Sequence, residues 1–340
     1  MLALVTGAAG RIGSHLTRAL VREGHTVRAF VLPGDPRAAA IAIPSVELYP
    51  GRLEDVAALT AAARGVEAVF HLGGALTSRG NSDEDFFTLN LRGTFDLLMA
   101  VRAHAPNLRH FVYASSDAVY WSGRPGDAFM PPIAESHPRA TGSVYGASKI
   151  GAEELCLAFW RGHGVPATIL RFGATADADE LIDPHSIFAR WLFVGAAIRF
   201  LTDLPHPTPD QIASGEILAR HDTGTEQLLV IADRTGRPEV RHWADARDIA
   251  AGCLCVLGRP AAVGDVFNLG GAAPHAADEL ARHLAARVHL PILTCQLPTA
   301  RMPWSISNEK ARGILGYAPR YTVFDMVDEA MRGRDALPAP

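Results

Sequence analysis

The amino-acid sequence predicts an α/β protein, a doubly wound parallel sheet followed by a smaller C-terminal region. Two observations predict this class. Short apolar runs alternate with segments of helical period through the first half of the chain, and a glycine-rich turn joins the first run to the first helix. In such a sheet the ligand lies at the carboxyl ends of the strands. The chain after residue 172 is rich in Pro and Gly, which predicts a smaller lid.

The alternation covers residues 1–172, which we assign to the first domain, and residues 173–340 form the second region. Aliphatic and aromatic runs predict strands at Leu2–Val5, Thr26–Val31, Glu47–Tyr49, Ala68–Leu72, Phe111–Ala114 and Thr168–Arg171. Apolar residues at helical spacing predict helices at about Arg11–Arg22, Val56–Ala63, Phe87–Ala103 and Tyr145–Trp160.

The first turn has glycines at three positions, Gly7, Gly10 and Gly13. Gly7 allows a tight turn, Gly10 allows phosphates to approach, and Gly13 allows the helix to pack on the strand. A strand, a glycine turn and a helix together place backbone N–H groups and a helix N-terminus against a pyrophosphate. The alternative is a glycine-rich turn that binds nothing.

A second motif combines Tyr145 and Lys149, four residues apart. On a helix both side chains project from one face, one turn apart. A lysine ammonium favours the phenolate, so we expect it to lower the pKa of Tyr145 from its ordinary value of about 10. Such a pair can move the proton of a carbinol or a ketone.

Composition excludes several classes of protein. The 340 residues are 48% apolar and 20% charged, as in soluble globular proteins. The net charge of -4 gives no support for a nucleic-acid or anionic membrane partner. We expect neither a membrane span nor a signal peptide. The four cysteines lack metal-ligand spacing, which predicts reduced thiols in a cytoplasmic protein and no metal site.

Together these residues resemble the extended short-chain dehydrogenase/reductase family, which includes nucleotide-sugar epimerases and dehydratases. The resemblance extends over nearly the whole chain, through the turn and the Tyr145/Lys149 pair and through residues 69–75, 90–94, 114–120, 267–270 and 308–317. It implies a Rossmann domain that binds NAD(P) and a lid that binds a small-molecule substrate. It also implies that parts of residues 230–270 return to the first domain.

The resemblance assigns three catalytic residues. Tyr145 is the acid/base, Ser116 positions the substrate oxygen, and Lys149 tunes Tyr145 and bonds the nicotinamide ribose. Ser115 is the rival to Ser116. The residues implied near the cofactor are Gly7, Gly10, Arg11, Ile12, Gly13, Val31, Arg52, Leu53, Leu72, Gly73, Gly74, Asn90, Tyr145, Lys149 and Phe172. Asn90 is equally suited to be a helix N-cap.

The sequence departs from the family where the adenosine binds. Val31 stands where NAD-using members have an acidic residue for the ribose hydroxyls, and Arg52 stands where relatives have an Asp near the adenine. Arg11 or Arg37 could meet a 2′-phosphate, and Asp35 could meet a ribose diol. The sequence therefore favours NAD without excluding NADP.

Three residues near the expected substrate position bear on the reaction. Asp117 is followed by Ala118, whereas sugar 4,6-dehydratases of the family have Asp-Glu, so a dehydratase is disfavoured. Ala174 replaces an Asn that contacts the diphosphate in nucleotide-sugar members. The segment after it, residues 175–183, is acidic and would repel a diphosphate unless its carboxylates face away, as in a solvated loop. Arg241 is a candidate for binding a substrate carboxylate.

These observations predict an NAD(P)-dependent oxidoreductase that transfers hydride at a hydroxyl or keto carbon of a sugar, sugar acid or lactone. The alternatives are a nucleotide-sugar epimerase and a non-catalytic dinucleotide sensor. The family also implies a homodimer formed by the helix before Ser116 and the Tyr145 helix. The residues that could form its interface, or could belong to the core, are Phe95, Leu98, Met99 and Phe159.

Overall fold

The computed structural model describes residues 1–76, 80–120, 131–204, 206–300 and 303–335. The strands are β1 (Leu2–Thr6), β2 (Thr26–Val31), β3 (Val46–Pro50), β4 (Ala68–His71), β5 (His110–Ser116), β6 (Ala167–Phe172), β7 (Ala174–Ala176), β8 (Leu228–Ala232), β9 (Val240–Arg241), β10 (Trp243–Asp245), β11 (Val266–Leu269), β12 (His275–Ala276) and β13 (Ile292–Gln296). The helices are α1 (Arg11–Arg22), α2 (Val56–Ala63), α3 (Asp83–Asp85), α4 (Gly93–His104), α5 (Val144–His163), α6 (Val194–Thr202), α7 (Pro209–Ala219), α8 (Ala246–Leu254), α9 (Ala277–Val288), α10 (Glu309–Leu315) and α11 (Val323–Asp335).

Seven parallel strands form the central sheet in the order β11-β6-β5-β4-β1-β2-β3. The order reverses at β1, where Thr6 is in register with Phe30 of β2 and His71 of β4. Ligands of doubly wound sheets bind at such a reversal, beyond the carboxyl ends of the strands. The predicted fold class is confirmed, and all six predicted strands are present in this sheet.

Local sequence explains where the central helix α5 begins and ends. The Ser143 side chain accepts a hydrogen bond from the Gly146 N–H, which caps the helix N-terminus. The helix ends at Gly164, whose φ of 70° lies in the left-handed region that favours glycine. The buried face of the helix includes Lys149 and Glu153, both with charged side chains. A charged residue is rarely buried unless it has a partner, so this face indicates a site.

One predicted helix differs from the structure. The continuous helix predicted over Phe87–Ala103 is a π-helical segment, Phe86–Arg92, followed by α4. The Thr94 hydroxyl donates to the Asn90 carbonyl at 2.5 Å, and the Asn90 side chain leaves the helix to bond Ala75. These side-chain bonds compete with regular backbone pairing, and wide turns of this kind are frequent at functional sites.

Part of the second region packs on the first domain. Strand β11 adds to the edge of the sheet beside β6. Ile249 and Cys253 of α8 join Leu16 and Leu20 of α1 in one apolar core. A separate core lies between the helices and short strands of the second region, and it includes Phe188, Trp243, Leu284 and Met326.

The structure also bears on membrane and metal partners. Over the described ranges, no helix combines the length and apolar character needed to span a bilayer. In the same residues, no three His, Cys, Asp or Glu side chains are grouped as ligands for a metal ion. All four cysteines are free thiols.

Candidate active site

The glycine turn after β1 requires its glycines for steric reasons. Gly7 has a φ of 67°, and its N–H donates to the Phe30 carbonyl at 3.1 Å. A Cβ at Gly13 would lie 2.2 Å from the Gly7 carbonyl oxygen, a distance that no side chain tolerates. A Cβ at Gly7 would meet the Gly73 backbone at 3.0 Å. The turn therefore lies directly against the loop that follows β4.

The N-terminus of α1 faces this turn without a capping side chain. Gly10 is the N-cap, no side chain of the described residues caps the helix, and its first turn has no acidic residue. The first backbone N–H groups of a helix have no partner within the helix, and they carry partial positive charge. Because the Ser14 N–H already bonds the Gly10 carbonyl, the amides of Arg11, Ile12 and Gly13 are the ones suited to a pyrophosphate.

A buried hydrogen-bond relay, which sequence analysis missed, connects the end of β1, the loop after β4 and the start of α4. The Gly73 N–H donates to Thr6 Oγ1 at 3.0 Å, and Thr6 Oγ1 lies 2.7 Å from His71 Nδ1. His71 Nε2 lies 3.0 Å from Thr94 Oγ1, which itself donates to the Asn90 carbonyl. The two ends of the relay fix its direction, so His71 carries its proton on Nε2.

His71 is neutral in this relay. Burial, together with the smaller effect of the nearby Lys149 ammonium, lowers the pKa of His71 to about 3. A neutral imidazole donates at one nitrogen and accepts at the other, as the relay requires. The sequence signal for the relay was His71 itself, a polar residue at the end of a buried strand. Its partners could not be predicted from it, because they lie 65 and 23 residues away.

Asn90 fixes the loop after β4. Its Oδ1 accepts from the Ala75 N–H at 2.8 Å, and its Nδ2 donates to the Ala75 carbonyl and to Ser148 Oγ, both at 3.0 Å. Since it lies inside the π-helical segment, the alternative role as a helix N-cap is wrong. A Cβ at Gly74 would meet Asn90 Oδ1 at 2.5 Å, so these two predicted cofactor residues are in close contact.

Lys149 lies on the buried face of α5 with 6% of its surface exposed. Its Nζ donates to the Ala114 carbonyl at 2.9 Å and lies 6.0 Å from the centre of the Tyr145 ring. Burial lowers the pKa of Lys149 to about 8, against the opposing effect of Glu153. The ammonium therefore remains the main form at neutral pH.

The structure distinguishes the two serines at the end of β5. Ser115 is buried and donates to Glu153 Oε1 at 2.6 Å. Ser116 Oγ accepts from the Ala118 N–H at 3.2 Å, lies 3.3 Å from Asp117 Oδ1, and is close enough to the Tyr145 hydroxyl to lower the pKa of Tyr145. This arrangement supports Ser116 as the residue that faces a substrate.

Tyr145 departs from the expected electrostatics. The pKa of Tyr145 is raised to about 12, mainly by burial; the Ser116 hydroxyl opposes this shift and the Asp117 carboxylate adds to it. The expectation of a lowered pKa is therefore wrong for the protein without ligand. The Lys149 ammonium is directed at a backbone carbonyl, and the loss of water around the phenol has the larger effect.

Beneath this site lies a buried ion pair. Arg171 Nε and Nη2 donate to the two oxygens of Glu153 at 2.8 and 2.7 Å. Arg171 Nη1 also donates to the Tyr120 hydroxyl at 2.9 Å. Sequence analysis did not single out Glu153, although its spacing of four residues from Lys149 places both on one helix face. The pair joins α5 to β6.

The residues predicted to surround the adenosine lie at the ends of β2 and β3. Val31 is buried, Leu53 is nearly buried and Arg52 is exposed. The Asp35 carboxylate accepts two hydrogen bonds from the Arg37 guanidinium, at 3.0 and 2.8 Å. At the carboxyl ends of the other strands, Leu72 after β4 is half-buried and Phe172 at the end of β6 is buried.

The acidic segment after β7 faces α1. Glu180 forms an ion pair with Arg11, and Asp177 Oδ1 lies 2.9 Å from His15 Nε2. Two of its carboxylates are thus bound to the first domain, and the alternative of a wholly solvated loop is wrong. Arg11 also lies over the Phe188 ring, 4.9 Å from its centre.

Two substrate candidates lie in the second region. Ala174 begins β7, in register with Trp243 of β10. Arg241 forms an ion pair with Glu239 and lies 4.7 Å from the centre of the Trp191 ring. The guanidinium is therefore already balanced by a carboxylate.

Comparison with known proteins assigns the family. The model of the NAD dependent epimerase/dehydratase family matches residues 3–176, more than half of the chain. The chain belongs to this family of enzymes. The assignment confirms the resemblance stated from the sequence, and it confirms NAD as the expected cofactor.

Relatives in the family include different activities. The chain is 30% identical over 334 residues to a 4-hydroxy-2-methyl-3-oxo-4-farnesyl-3,4-dihydroquinoline-1-oxide ketoreductase of Stigmatella aurantiaca, covering 95% of this chain and 93% of the relative. It is 26% identical over 349 residues to the UDP-glucose 4-epimerase of Corynebacterium glutamicum, covering 99% and 97%. A solved short-chain dehydrogenase/reductase superfamily protein from Agrobacterium tumefaciens with bound NAD has a TM-score of 0.87 at 35% identity, over 98% of this chain and 97% of that one.

Proposed function

We propose that this protein is an NAD-dependent oxidoreductase that transfers hydride at a hydroxyl or keto carbon of a small polyhydroxylated molecule, such as a sugar, sugar acid or lactone. The observation that carries the proposal is the grouping of Ser116, Tyr145 and Lys149 at the carboxyl ends of the strands, beside the glycine turn. When bound, NAD supplies the hydride acceptor or donor.

The side chains of the site divide the remaining work. Tyr145 gives a proton to, or takes one from, the substrate oxygen, and Ser116 hydrogen-bonds that oxygen. Lys149 supplies a positive charge that favours the phenolate when proton transfer demands it. The relay through His71 holds the loops after β1 and β4 at their close approach, so that the reacting groups keep their geometry.

The charges near the adenosine support NAD over NADP. Both arginines that could meet a 2′-phosphate are bound to carboxylates, Arg11 to Glu180 and Arg37 to Asp35. A phosphate would have to displace a carboxylate from a paired guanidinium, or lie beside it and be repelled. A cofactor with a free ribose diol has no such cost.

The substrate residues support a dehydrogenase over a nucleotide-sugar epimerase. Ala174 has no polar group for a diphosphate, and the Arg241 charge is balanced by Glu239. The ketoreductase and epimerase relatives match the chain over almost its whole length, so the epimerase is the second candidate. The complete Ser116, Tyr145 and Lys149 set argues against a sensor without turnover.

We also propose a cytoplasmic homodimer. The four free thiols support the location. Of the four residues considered for the interface, Leu98 and Phe159 are buried in the core, whereas Met99 of α4 is 38% exposed. Phe87, just before α4, is also 54% exposed, and such apolar exposure supports an interface along this helix. Light scattering measures the mass, and Met99→Lys with Phe87→Lys should yield monomers.

The deciding experiment is to denature the freshly purified protein and identify any nucleotide that it releases. An empty protein that binds added NAD supports a dehydrogenase, because such an enzyme exchanges its cofactor at every turnover. Near-stoichiometric NAD supports the epimerase, which regenerates its cofactor in place. Failure to bind either nucleotide contradicts both enzyme proposals.

A substrate screen with NAD then tests the chemistry. Tyr145→Phe should lose at least about a hundredfold in kcat on any active substrate while NAD binding is retained. Tyr49→Phe, at the far edge of the sheet on β3, is the matched control. A sensor would keep its response to ligand in both variants.

A further inference from the structure

The acidic segment after β7 binds the first side chain of helix α1. Arg11 Nε and Nη2 donate to the two carboxylate oxygens of Glu180. The guanidinium also lies over the ring of Phe188, which is itself buried and packs against Trp243 with 5.0 Å between the ring centres. The side chains of Arg11 and Glu180 are 19% and 25% exposed. The Arg11 charge is therefore fixed to the second region.

Glu180 is held in place by its own segment. The Asp177 N–H donates to Glu180 Oε2 at 2.9 Å, and Ser186 Oγ donates to the Glu180 carbonyl at 2.6 Å. The Asp177 carboxylate contacts His15, which lies one turn beyond Arg11 on the same face of α1. Two carboxylates of this segment thus lie against the first turns of α1, and Arg11 has an anionic partner before any ligand binds.

Arg11 is the first residue of α1, where we propose that the NAD pyrophosphate binds. Side chains of a helix point towards its N-terminus, so an unpaired Arg11 guanidinium could reach an anion bound there. A guanidinium binds phosphate through the same two-pronged contact that it makes with a carboxylate. Because Glu180 occupies Nε and Nη2 of Arg11, this contact is not open to the pyrophosphate, and the Glu180 charge also repels a nearby phosphate.

We propose that Glu180 is a positioning residue, which withholds the Arg11 guanidinium from the NAD pyrophosphate and so limits how long the cofactor stays bound. The inference rests on the proposed function, in which the cofactor leaves after every turnover. Backbone amides of the glycine turn then hold the pyrophosphate without an added guanidinium. The pair suits a dehydrogenase, which must exchange NAD and NADH, better than an epimerase, which can retain its cofactor.

The test is Glu180→Gln, which removes the charge at nearly constant shape and keeps an oxygen for the Asp177 N–H. The released Arg11 should bind the pyrophosphate, so the Kd for NAD should fall about fivefold. Most of the change should lie in the rate at which NADH leaves, as for most changes in affinity within one complex. Stopped-flow fluorescence after mixing with excess NAD measures this rate. A merely structural role predicts the opposite sign, because loss of the contact would loosen the site and weaken binding.

A double variant shows whether Arg11 is the cause. Arg11→Gln alone should raise the Kd for NAD, because the Glu180 charge then lies unpaired near the phosphates. Arg11→Gln with Glu180→Gln should return the Kd to about the wild-type value. If the double variant binds NAD as tightly as Glu180→Gln does, release of the guanidinium is not the cause and the inference is overturned.

Two controls test charge and contact elsewhere. Glu329→Gln removes a carboxylate that pairs with Arg247 inside the second region. Trp304→Phe removes another hydrogen bond between the two regions, from Nε1 to Asp117 Oδ2 at 2.8 Å. Neither should slow the release of NADH. An equal slowing in either control would assign the effect to net charge or to a loosened contact, and would overturn the inference.

Failure of this inference can be distinguished from failure of the proposed function. A wild-type protein that does not bind NAD overturns both. If the wild type binds NAD, and Glu180→Gln releases NADH as fast as the wild type or faster, the inference alone is overturned. Circular dichroism confirms the native fold of each variant. If Glu180→Gln does not fold, Glu180→Asp, which is one methylene shorter and cannot keep the same two-pronged contact, is judged by the same criterion.

Discussion

Glu153, on the helix that carries Tyr145 and Lys149, forms a buried, bidentate ion pair with Arg171 of β6. Their side chains are 0% and 3% exposed. Since Glu153 also accepts from Ser115 and from Arg139 at 3.2 Å, its carboxylate connects α5, the end of β5 and β6. The Glu153 carboxylate thus fixes α5 through partners that all lie outside that helix.

Removal of this carboxylate should destabilise the protein strongly. Glu153→Gln leaves the Arg171 guanidinium buried without a counter-charge, and we expect the free energy of unfolding to fall by about 3–5 kcal/mol. Urea denaturation measures the change. Glu154→Gln removes the neighbouring, exposed carboxylate that pairs with Arg139 and should cost less than about 1 kcal/mol. Equal losses in the two variants would contradict a special role for the buried pair.

Gly13→Ala should abolish NAD binding. The new Cβ would lie 2.2 Å from the Gly7 carbonyl oxygen, so either the turn or the start of α1 must move away from the position that we propose for the NAD phosphates. Isothermal titration calorimetry with NAD measures the loss, which we expect to exceed about a hundredfold. Gly162→Ala is the matched control, because that position on α5 has open space around it. The control should bind NAD normally and gain up to about 1 kcal/mol in stability.

His71 should make the fold sensitive to acid. Because its pKa is about 3 in the folded protein and about 6.5 when unfolded, the unfolded chain binds the additional proton as the pH falls below 6.5. The stability that neutral His71 gives to the fold is fully present above pH 6.5 and is lost as the pH falls towards 3. Between pH 7 and pH 5 the free energy of unfolding should fall by about 2 kcal/mol for this reason.

Urea denaturation at these two pH values tests the assignment. His71→Asn should be less stable at pH 7, because the relay is broken, but its stability should fall less between pH 7 and pH 5. His104→Asn, an exposed position on α4, should keep the wild-type pH dependence. A His71→Asn variant as acid-sensitive as the wild type would show that His71 is not the group responsible.

Asp35→Asn should relax the preference for NAD. Loss of the carboxylate removes a charge that repels a 2′-phosphate and releases the exposed Arg37 guanidinium to meet one. We expect the ratio of the Kd for NADP to the Kd for NAD to fall about tenfold, which equals about 1.4 kcal/mol. Glu23→Gln, an exposed change at the far end of α1, should leave the ratio unaltered. No change in the ratio for Asp35→Asn would place the adenosine ribose away from this loop.

Sequence could predict the local parts of the site and not the contacts between distant parts. The glycine turn and the Tyr145/Lys149 pair are encoded in short segments, whose geometry follows from the periods of a strand and a helix. The relay through His71 and the bond between Asp117 and Trp304 join residues 65 and 187 positions apart, and no local pattern contains them. The direction of the pKa shift of Tyr145 depended on burial, which is likewise a property of the assembled fold.

The order of the strands also has a consequence during synthesis. Strand β11 covers the edge of β6, and α8 covers the apolar face of α1. Both elements are translated long after the first six strands of the sheet and after α1. A nascent chain that has emerged only to residue 172 exposes an unpaired strand edge and an uncovered helix face, the features that promote association with other chains. The first half of this protein is therefore most prone to association with other chains until β11 and α8 have folded onto it.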